Sequence, residues 1–459
     1  MNINSLYDKS PVFIQNIAVN AAGLQFQRQR HDKHFYQFLD QFNKRQYENH
    51  QNILKFRNNE MNQFFDFNFS YNDFYKRHKG MLSGKTDDFN KIMADLPIIG
   101  KQDIINSSYF PNSDRVVRGK KVKHHTSGST GEGFQFYTSQ SAIQKQWAVW
   151  WRYRMWHGIQ IDTWCGYFGG RTVVSVRQKK PPFWRINIPG RQILFSGYHM
   201  SPENLKYYIQ ELNKRQLPWI HGYPSLITLL GNYILEMGIR LNYNIRWITT
   251  GAENLLSSQI NVIQKAFGVI PRQHYGLAEA VANFSECPSG KLHVDEDFAY
   301  VEFVPNTNGQ GYKVIGTNFT NYFTPMIRYD TGDIVEIDRN GCDCGRPGRI
   351  VKSIDGRKED YVILKDGTRL GRLDHIFKDL NHIREAQIHQ KERGTIILRV
   401  VPSDSYSSPD EDRLLKEAQY RIGKNADISI EYVDAIERTK SGKLRLVIND
   451  LNEGKINCP

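Results

Sequence analysis

HHTSGSTGEGFQ, residues 124–135, sets the reading of everything else in the chain. Four hydroxyl residues (Thr126, Ser127, Ser129, Thr130) and three glycines (Gly128, Gly131, Gly133) crowd into residues 126–133. Glycine lets a backbone turn its N–H groups inward, and hydroxyls can donate into the same concavity, so such a loop suits a polyphosphate. A polar surface turn has the same composition. The setting separates the two: an alternating segment from Val116 to His124 precedes the loop, and a helical pattern starts near Ser141. Strand, loop and helix in that order favour phosphate at the helix start. No GxxxxGK[ST] occurs, which argues against an ordinary phosphoryl-transfer NTPase.

The surrounding chain has 459 residues, enough for two or three domains. Its 61 Lys and Arg against 48 Asp and Glu give a net charge of +13, which suits nucleic acid, an anionic membrane face or polyanionic small molecules such as ATP and coenzyme A, and charge alone does not choose among them. The basic stretches Arg118–Lys123 and Arg177–Lys180 are separate and lack interleaved aromatics, so no nucleic-acid track is expected. Five cysteines are too few and uneven for a disulfide framework, which fits a reducing, cytoplasmic setting. No run approaches the ~18 apolar residues that span a bilayer. The Pro11–Phe26 stretch allows at most a peripheral membrane contact, and a helix packed on its own core is the simpler expectation.

Up to about residue 95 the pattern is helical, with Phe35, Phe38, Leu39 and Phe42 at helix spacing. Gln144–His157 puts Trp147, Trp150, Trp151, Arg154 and Met155 on what reads as a buried helix face. From Gly166 short apolar strands, including GYFGG and TVVSV (172–176), alternate with helices over 203–216, 226–237 and 257–267. That rhythm predicts an α/β fold with mixed sheets and crossover helices. Gly222, Gly251 and Gly276 follow strand ends, where such sheets place ligands. Beyond Cys287 a β-rich subdomain is expected, and from Lys358 a small α+β domain. The expected division is 1–357 and 358–459.

Cys287 and His293, then Cys342 and Cys344, form C-x5-H and C-x-C. Three thiols and an imidazole make a complete tetrahedral set for structural Zn²⁺. The spacing departs from the usual CxxC, and ordinary reduced cysteines are the alternative.

Four more clusters each suit one part of a nucleotide: HYGLAE (274–279), RYDTGD (328–333), IDGRKED (354–360) and RTKSGKLR (438–445). Together with TSGSTG, and in this order, they resemble the adenylate-forming superfamily. Within it the phenylacetate-CoA ligase branch and its CapK-like capsular-polysaccharide relatives are most similar, through SPVFIQNIAVNAAGL, FGGR, HGYPS and CDCGR. The motifs run from Thr126 to Arg445.

The resemblance implies that Thr126, Ser127, Gly128, Ser129, Thr130 and Gly131 wrap the phosphates of ATP. It implies that Gly251, Ala252, Glu253 and Tyr275-Gly276 flank the adenine, Asp333 holds the ribose, and Arg357 contacts ribose or phosphate. Glu279 would ligate Mg²⁺ and Lys443 would bridge carboxylate and α-phosphate, with Thr130 completing the catalytic set. Glu359 stands where the family has its hinge, normally Asp or Lys, before a mobile lid domain. Glu132 replaces the usual Lys after TG and is expected to point outward. Tyr167 and Phe168 fall where aryl-CoA ligases keep an aromatic beside the acyl group, with His221 and Tyr223 on a neighbouring strand. Each of these four is equally compatible with plain core. Similar Cys/His clusters occur in some relatives.

The implied reaction joins a small carboxylic acid to AMP and passes the acyl group to coenzyme A. Two alternatives stay open: transfer to a sugar or amine in surface-polysaccharide assembly, and a non-catalytic nucleotide-binding protein. A homodimer is compatible with any of them.

Overall fold

The computed structural model describes residues 3–451 except 77–88, 107–116, 126–134, 176, 308–310, 358–360, 366–368, 371–372, 378–381, 424 and 439–443. Among the described residues seven α-helices come first: α1 (Ile3–Lys9), α2 (Val12–Arg30), α3 (Lys33–Arg45), α4 (His50–Tyr71), α5 (Asp73–Lys76), α6 (Phe89–Asp95) and α7 (Lys101–Asn106). A hairpin of β1 (Lys121–His125) and β2 (Gln135–Ser139) leads into α8 (Gln140–Trp156). The alternating region follows as β3 (Cys165–Gly169), β4 (Trp184–Asn187), β5 (Gln192–Ser196), α9 (Pro202–Arg215), β6 (Trp219–Gly222), α10 (Pro224–Glu236), β7 (Trp247–Thr250) and α11 (Ser257–Phe267). Next come β8 (Arg272–Gly276), β9 (Asn283–Glu286), β10 (Leu292–Val294), β11 (Tyr300–Pro305), β12 (Tyr312–Asn318), β13 (Met326–Asp338) and β14 (Ile350–Arg357). The last part holds β15 (Val362–Ile363), β16 (Arg369–Leu370), β17 (Ile383–Glu392), β18 (Thr395–Pro402), α12 (Ser408–Ile422), β19 (Asp427–Tyr432) and β20 (Val447–Asn449).

Local chemistry sets these boundaries. Asp32 caps α3 by accepting the N–H groups of His34 and Phe35, and Ser139 caps α8 through Ala142. Proline stands at the first position of α9 and of α10, where its missing N–H costs nothing. Gly268 ends α11 in the left-handed conformation, at φ +72°.

The chain forms two compact units, each drawn from separate stretches. One comprises residues 1–20, 163–272 and 355–459. Its first sheet runs β4-β5-β3-β6-β7, parallel throughout except for β4. Phe168, Ile193, Phe195, Tyr208, Ile220 and Leu230 lie in the core beneath it. Its second sheet, β19-β18-β17-β20, packs with α12 around Ile388, Leu398 and Leu414. The N-terminal helices are tied in by Gln15, whose amide oxygen accepts from Nε of the fully buried Arg185 at 2.8 Å.

The other unit comprises residues 21–162 and 273–354. Its strands order as β8-β9-β10-β14-β13-β12-β11, and Phe64, Phe65, Phe69, Met326 and Ile327 are among its core.

Three sequence expectations change. The loop after β1 leads into the antiparallel strand β2 and not directly into a helix, since α8 begins only at Gln140. Thr172–Ser175 is not a strand: Val173 N–H bonds the Arg171 carbonyl and Gln178 N–H bonds that of Ser175, so the segment turns on itself despite its β-branched residues. Helix α8 is buried on more than one face, with Arg152 and Arg154 enclosed alongside Ala148 and Trp151. No helix among the described residues is long and apolar enough to cross a membrane.

Candidate functional site

In the second unit, β8 and β13 bring Tyr275 and Asp333 together. The Tyr275 hydroxyl donates to Asp333 Oδ2 at 2.5 Å, and its ring stacks on Phe284 with centroids 4.6 Å apart. Burial, then the Asp333 carboxylate, then Glu279 push the Tyr275 phenol well above its ordinary value, so it stays a donor. Asp333 is aimed by the turn before it. Gly332 at φ +76° gives its N–H to Asp330, and the Asp333 N–H reaches Thr331 Oγ1 at 3.1 Å.

Glu279 is half-buried and stands close enough to Tyr275 for its charge to be felt there. Its carbonyl accepts from Asn318 at 2.9 Å, and the next residue, Ala280, adopts φ +56°. The HYGLAE segment is gripped from α8: Gln146 donates to the Leu277 carbonyl at 2.7 Å, and Trp150 donates to Asn283 at 2.9 Å. A side chain on Gly276 would meet Asn283 and the Trp150 indole nitrogen, so only glycine fits there.

Behind this lies a network that the sequence did not announce. Arg152 pairs with Asp295 at 2.7 Å and Asp297 at 2.8 Å, and Arg45 adds a second contact to Asp297 at 3.0 Å. Arg57 and Arg349 both hold Glu296 at 2.7 Å. Asp295 also accepts from Asn283, so the ion pairs extend to the residue that Trp150 holds. The only signal was the acidic run Asp295-Glu296-Asp297, whose partners are far away in sequence.

In the first unit, the carboxyl ends of β3, β6 and β7 gather the other expected residues. Tyr167 and His221 face each other across paired strands, with ring centroids 5.8 Å apart, and His221 Nδ1 lies 2.9 Å from Thr249 Oγ1. Burial, then Tyr167 and Glu253, push the Tyr223 phenol above its ordinary value. Phe168 points the other way. It is fully buried and stacks on Phe195 at 4.6 Å, which puts it in the core rather than beside a ligand. Gly222 closes against it, since a Cβ there would stand 1.9 Å from the Phe168 carbonyl oxygen.

After β7, Gly251 is buried and Ala252 takes φ +68°. Glu253 then accepts N–H groups from Ser225 at 3.2 Å and from Leu444 at 2.8 Å. Among the described residues, five non-glycines have positive φ; two of them (Ala252, Arg328) sit inside the expected motifs and a third, Ala280, directly follows HYGLAE. Backbone held in this region gathers at functional sites. Residue type alone could not reveal it.

Cys287, His293, Cys342 and Cys344 converge, with one ligand atom from each lying within 4.8 Å of all the others. The Cys287 and Cys342 sulfurs are 3.7 Å apart, and Cys344 Sγ is 3.4 Å from His293 Nε2. A tetrahedron with metal–sulfur bonds of about 2.3 Å has sulfur–sulfur edges of about 3.8 Å. His293 Nδ1 lies 2.9 Å from the Pro347 carbonyl, which fixes the tautomer that leaves Nε2 facing the sulfurs. The residues therefore fit zinc.

Thr126, Ser127, Gly128, Ser129, Thr130, Gly131, Glu132, Glu359 and Lys443 lie outside the described residues. Arg357 is the last residue of β14.

Comparison with known proteins gives concordant results. The CapK C-terminal domain family matches residues 362–450. Protein CapK of Staphylococcus aureus is 30% identical over 459 residues, covering 98% of this chain and 100% of that protein. A phenylacetate-coenzyme A ligase of Thermus thermophilus is 26% identical over 153 residues, 31% of this chain and 34% of the ligase. Among solved structures, a 2-hydroxyisobutyryl-CoA ligase in the postadenylation state superposes with a TM-score of 0.64 at 17% identity, covering 88% of this chain and 90% of that one. That likeness is one of fold.

Proposed function

The chain belongs to the CapK family, and on that premise we propose that it is an ATP-dependent ligase that activates a carboxylic acid as its acyl-adenylate and then transfers the acyl group to coenzyme A. In the first step a carboxylate oxygen bonds to the α-phosphorus while the bond to the bridging β-phosphate oxygen breaks, releasing pyrophosphate. In the second, the thiol sulfur bonds to the acyl carbon, AMP departs with the ester oxygen, and the thiol proton passes to solvent.

The observation that carries this reading is the Tyr275–Asp333 pair at 2.5 Å with Glu279 beside it. A buried carboxylate held by a neutral phenol suits the two hydroxyls of a ribose, and a second carboxylate nearby suits a cation on the phosphates. In this reading Asp333 receives the ribose, Gly251, Ala252 and Tyr275 flank the base, Glu279 would hold Mg²⁺, and residues 126–131 meet the phosphates. Mg²⁺ would neutralise charge that builds when carboxylate and phosphate meet, and Lys443 would share that task.

Pyrophosphate release from ATP and Mg²⁺, measured over a panel of aryl, short hydroxy and amino acids with and without coenzyme A, tests the reading. Release with one acid, faster with coenzyme A and yielding a thioester, is expected. Release that responds to a sugar or amine and not to the thiol would move the second step to polysaccharide assembly. Nucleotide binding with no release for any acid would favour a non-catalytic role.

The Cys/His cluster has a separate purpose in this reading. With three sulfurs and one nitrogen it is a closed set with no position left for substrate, so Zn²⁺ there would be structural. It would tie β10 to the 342–344 turn that follows β13.

A further inference from the structure

Glu253 was expected beside a nucleotide base, yet its contacts run to a distant part of the chain. One carboxylate oxygen accepts the Leu444 N–H at 2.8 Å, across 191 residues of sequence, and the other accepts the Ser225 N–H at the start of α10. Ser225 makes the complementary contact. Its Oγ receives Arg438 Nη1 at 2.8 Å, and the same guanidinium pairs with Glu385 on β17. Glu385 also accepts the Ile436 N–H at 3.4 Å. Arg438 and Leu444 are the described residues that bound segment 439–443 on its two sides.

The electrostatics agree with a built contact. Burial raises Glu253 above the ordinary carboxylate range, while Arg438, Leu444 and Ser225 act in the opposite direction. Burial lowers Arg438, and the Glu253 charge works against that. The Glu253 carboxylate is therefore costly where it stands unless these donors remain in place. A backbone N–H is the partner at Leu444, so the contact fixes the main chain itself at the residue that follows Lys443 in sequence.

We propose that Glu253, with Ser225, is a positioning residue that anchors the chain on both sides of the lysine segment for adenylate formation. The proposal rests on the ligase reading above. It assigns Glu253 a role through the peptide it holds, and not through contact with the reacting atoms. It also explains why a carboxylate follows a left-handed alanine: Ala252 at φ +68° turns the next side chain toward α10 and Leu444.

The test uses the full chain and two variants, Glu253→Gln and Ser225→Ala, each checked by thermal melting for an intact fold. Glutamine keeps one acceptor and replaces the other with a donor that cannot accept an N–H. Amide hydrogen exchange over peptides spanning 436–446 is expected to quicken about tenfold in Glu253→Gln, and less in Ser225→Ala. ATP–pyrophosphate exchange is expected to slow by about tenfold or more through kcat, with KM for ATP nearly unchanged. Conversion of a supplied acyl-adenylate is expected to continue at the parent rate.

A rise in KM for ATP with kcat intact would overturn the proposal and make Glu253 a nucleotide contact. Equal loss of both half-reactions would overturn it in favour of a general structural role. If the parent chain itself exchanges no pyrophosphate with any acid, the ligase reading fails. The amide-exchange measurement then decides the anchor alone, with unchanged protection in Glu253→Gln refuting it.

Discussion

The Tyr275 hydroxyl donates to Asp333 at 2.5 Å, joining residues 58 positions apart through a contact that aims a carboxylate. Tyr275→Phe removes the donor and keeps the ring on Phe284. A hydrogen bond to a charged group contributes about 1.5–3 kcal/mol, so nucleotide affinity is expected to fall by roughly 10- to 100-fold. Isothermal titration with AMP checks this. An affinity equal to the parent's would mean that Asp333 does not meet the nucleotide.

Lys443→Ala is expected to slow adenylate formation by about 10²–10³, the usual effect of removing one preorganised charge-stabilising group. Thioester formation from supplied adenylate should persist. Comparable loss in both steps would contradict separate use of the lysine in the first.

Protein purified without added metal is expected to carry about one zinc per chain, read by elemental mass spectrometry. Chelation, or Cys342→Ser, should lower the melting temperature, because binding energy at a closed site is folding energy. A zinc content far below one, with melting indifferent to chelators, would leave four ordinary side chains in chance proximity.

Arg152→Met leaves Asp295 without an arginine and Asp297 with Arg45 alone, and loss of one partner from a buried pair costs about 3–5 kcal/mol. Urea unfolding measures it, and pH gives the loss a signature. Burial would raise Glu296 and Asp297, but Arg349 and Arg57 outweigh it for the first and Arg152 and Arg45 for the second, so both titrate below the ordinary range. The stability they supply is present above the unfolded-state value of about 4 and is lost as pH falls below it. Asp295 is raised by burial despite Arg152, and contributes in the opposite sense. The deficit of Arg152→Met should therefore be greatest near neutral pH and shrink in acid, where the stranded carboxyls take up protons.

Much of this was legible from local pattern. Helix α11 occupies the very span that apolar spacing marks, and α9 and α10 begin one or two residues earlier because proline opens them. The C-x5-H and C-x-C spacings named four side chains that the fold does bring together. What stayed hidden depends on distance or on backbone angle. TVVSV alternates like a strand, but whether its N–H groups find a ladder is decided by its neighbours. Arg152 reads as an interruption of an apolar face until Asp295 and Asp297 are seen beside it. Alanines at 252 and 280 carry no mark of their left-handed conformation. Phe168 and Tyr167 are adjacent aromatics of similar propensity, and only strand alternation sends one to the core and the other to the open end of the sheet.

The hold of Gln15 on Arg185 has a consequence for how the chain is made. The N-terminal helices leave the ribosome first, yet the guanidinium they shield is 170 residues downstream. At about 5–20 residues per second that is a delay of roughly 10–30 s. The unit they join also takes in residues beyond 355, so its assembly waits for a segment made later still. During that interval the Gln15 side chain lacks the guanidinium that it accepts from in the finished fold. The order in which this unit can close thus follows from connectivity, whatever the stability of the finished protein.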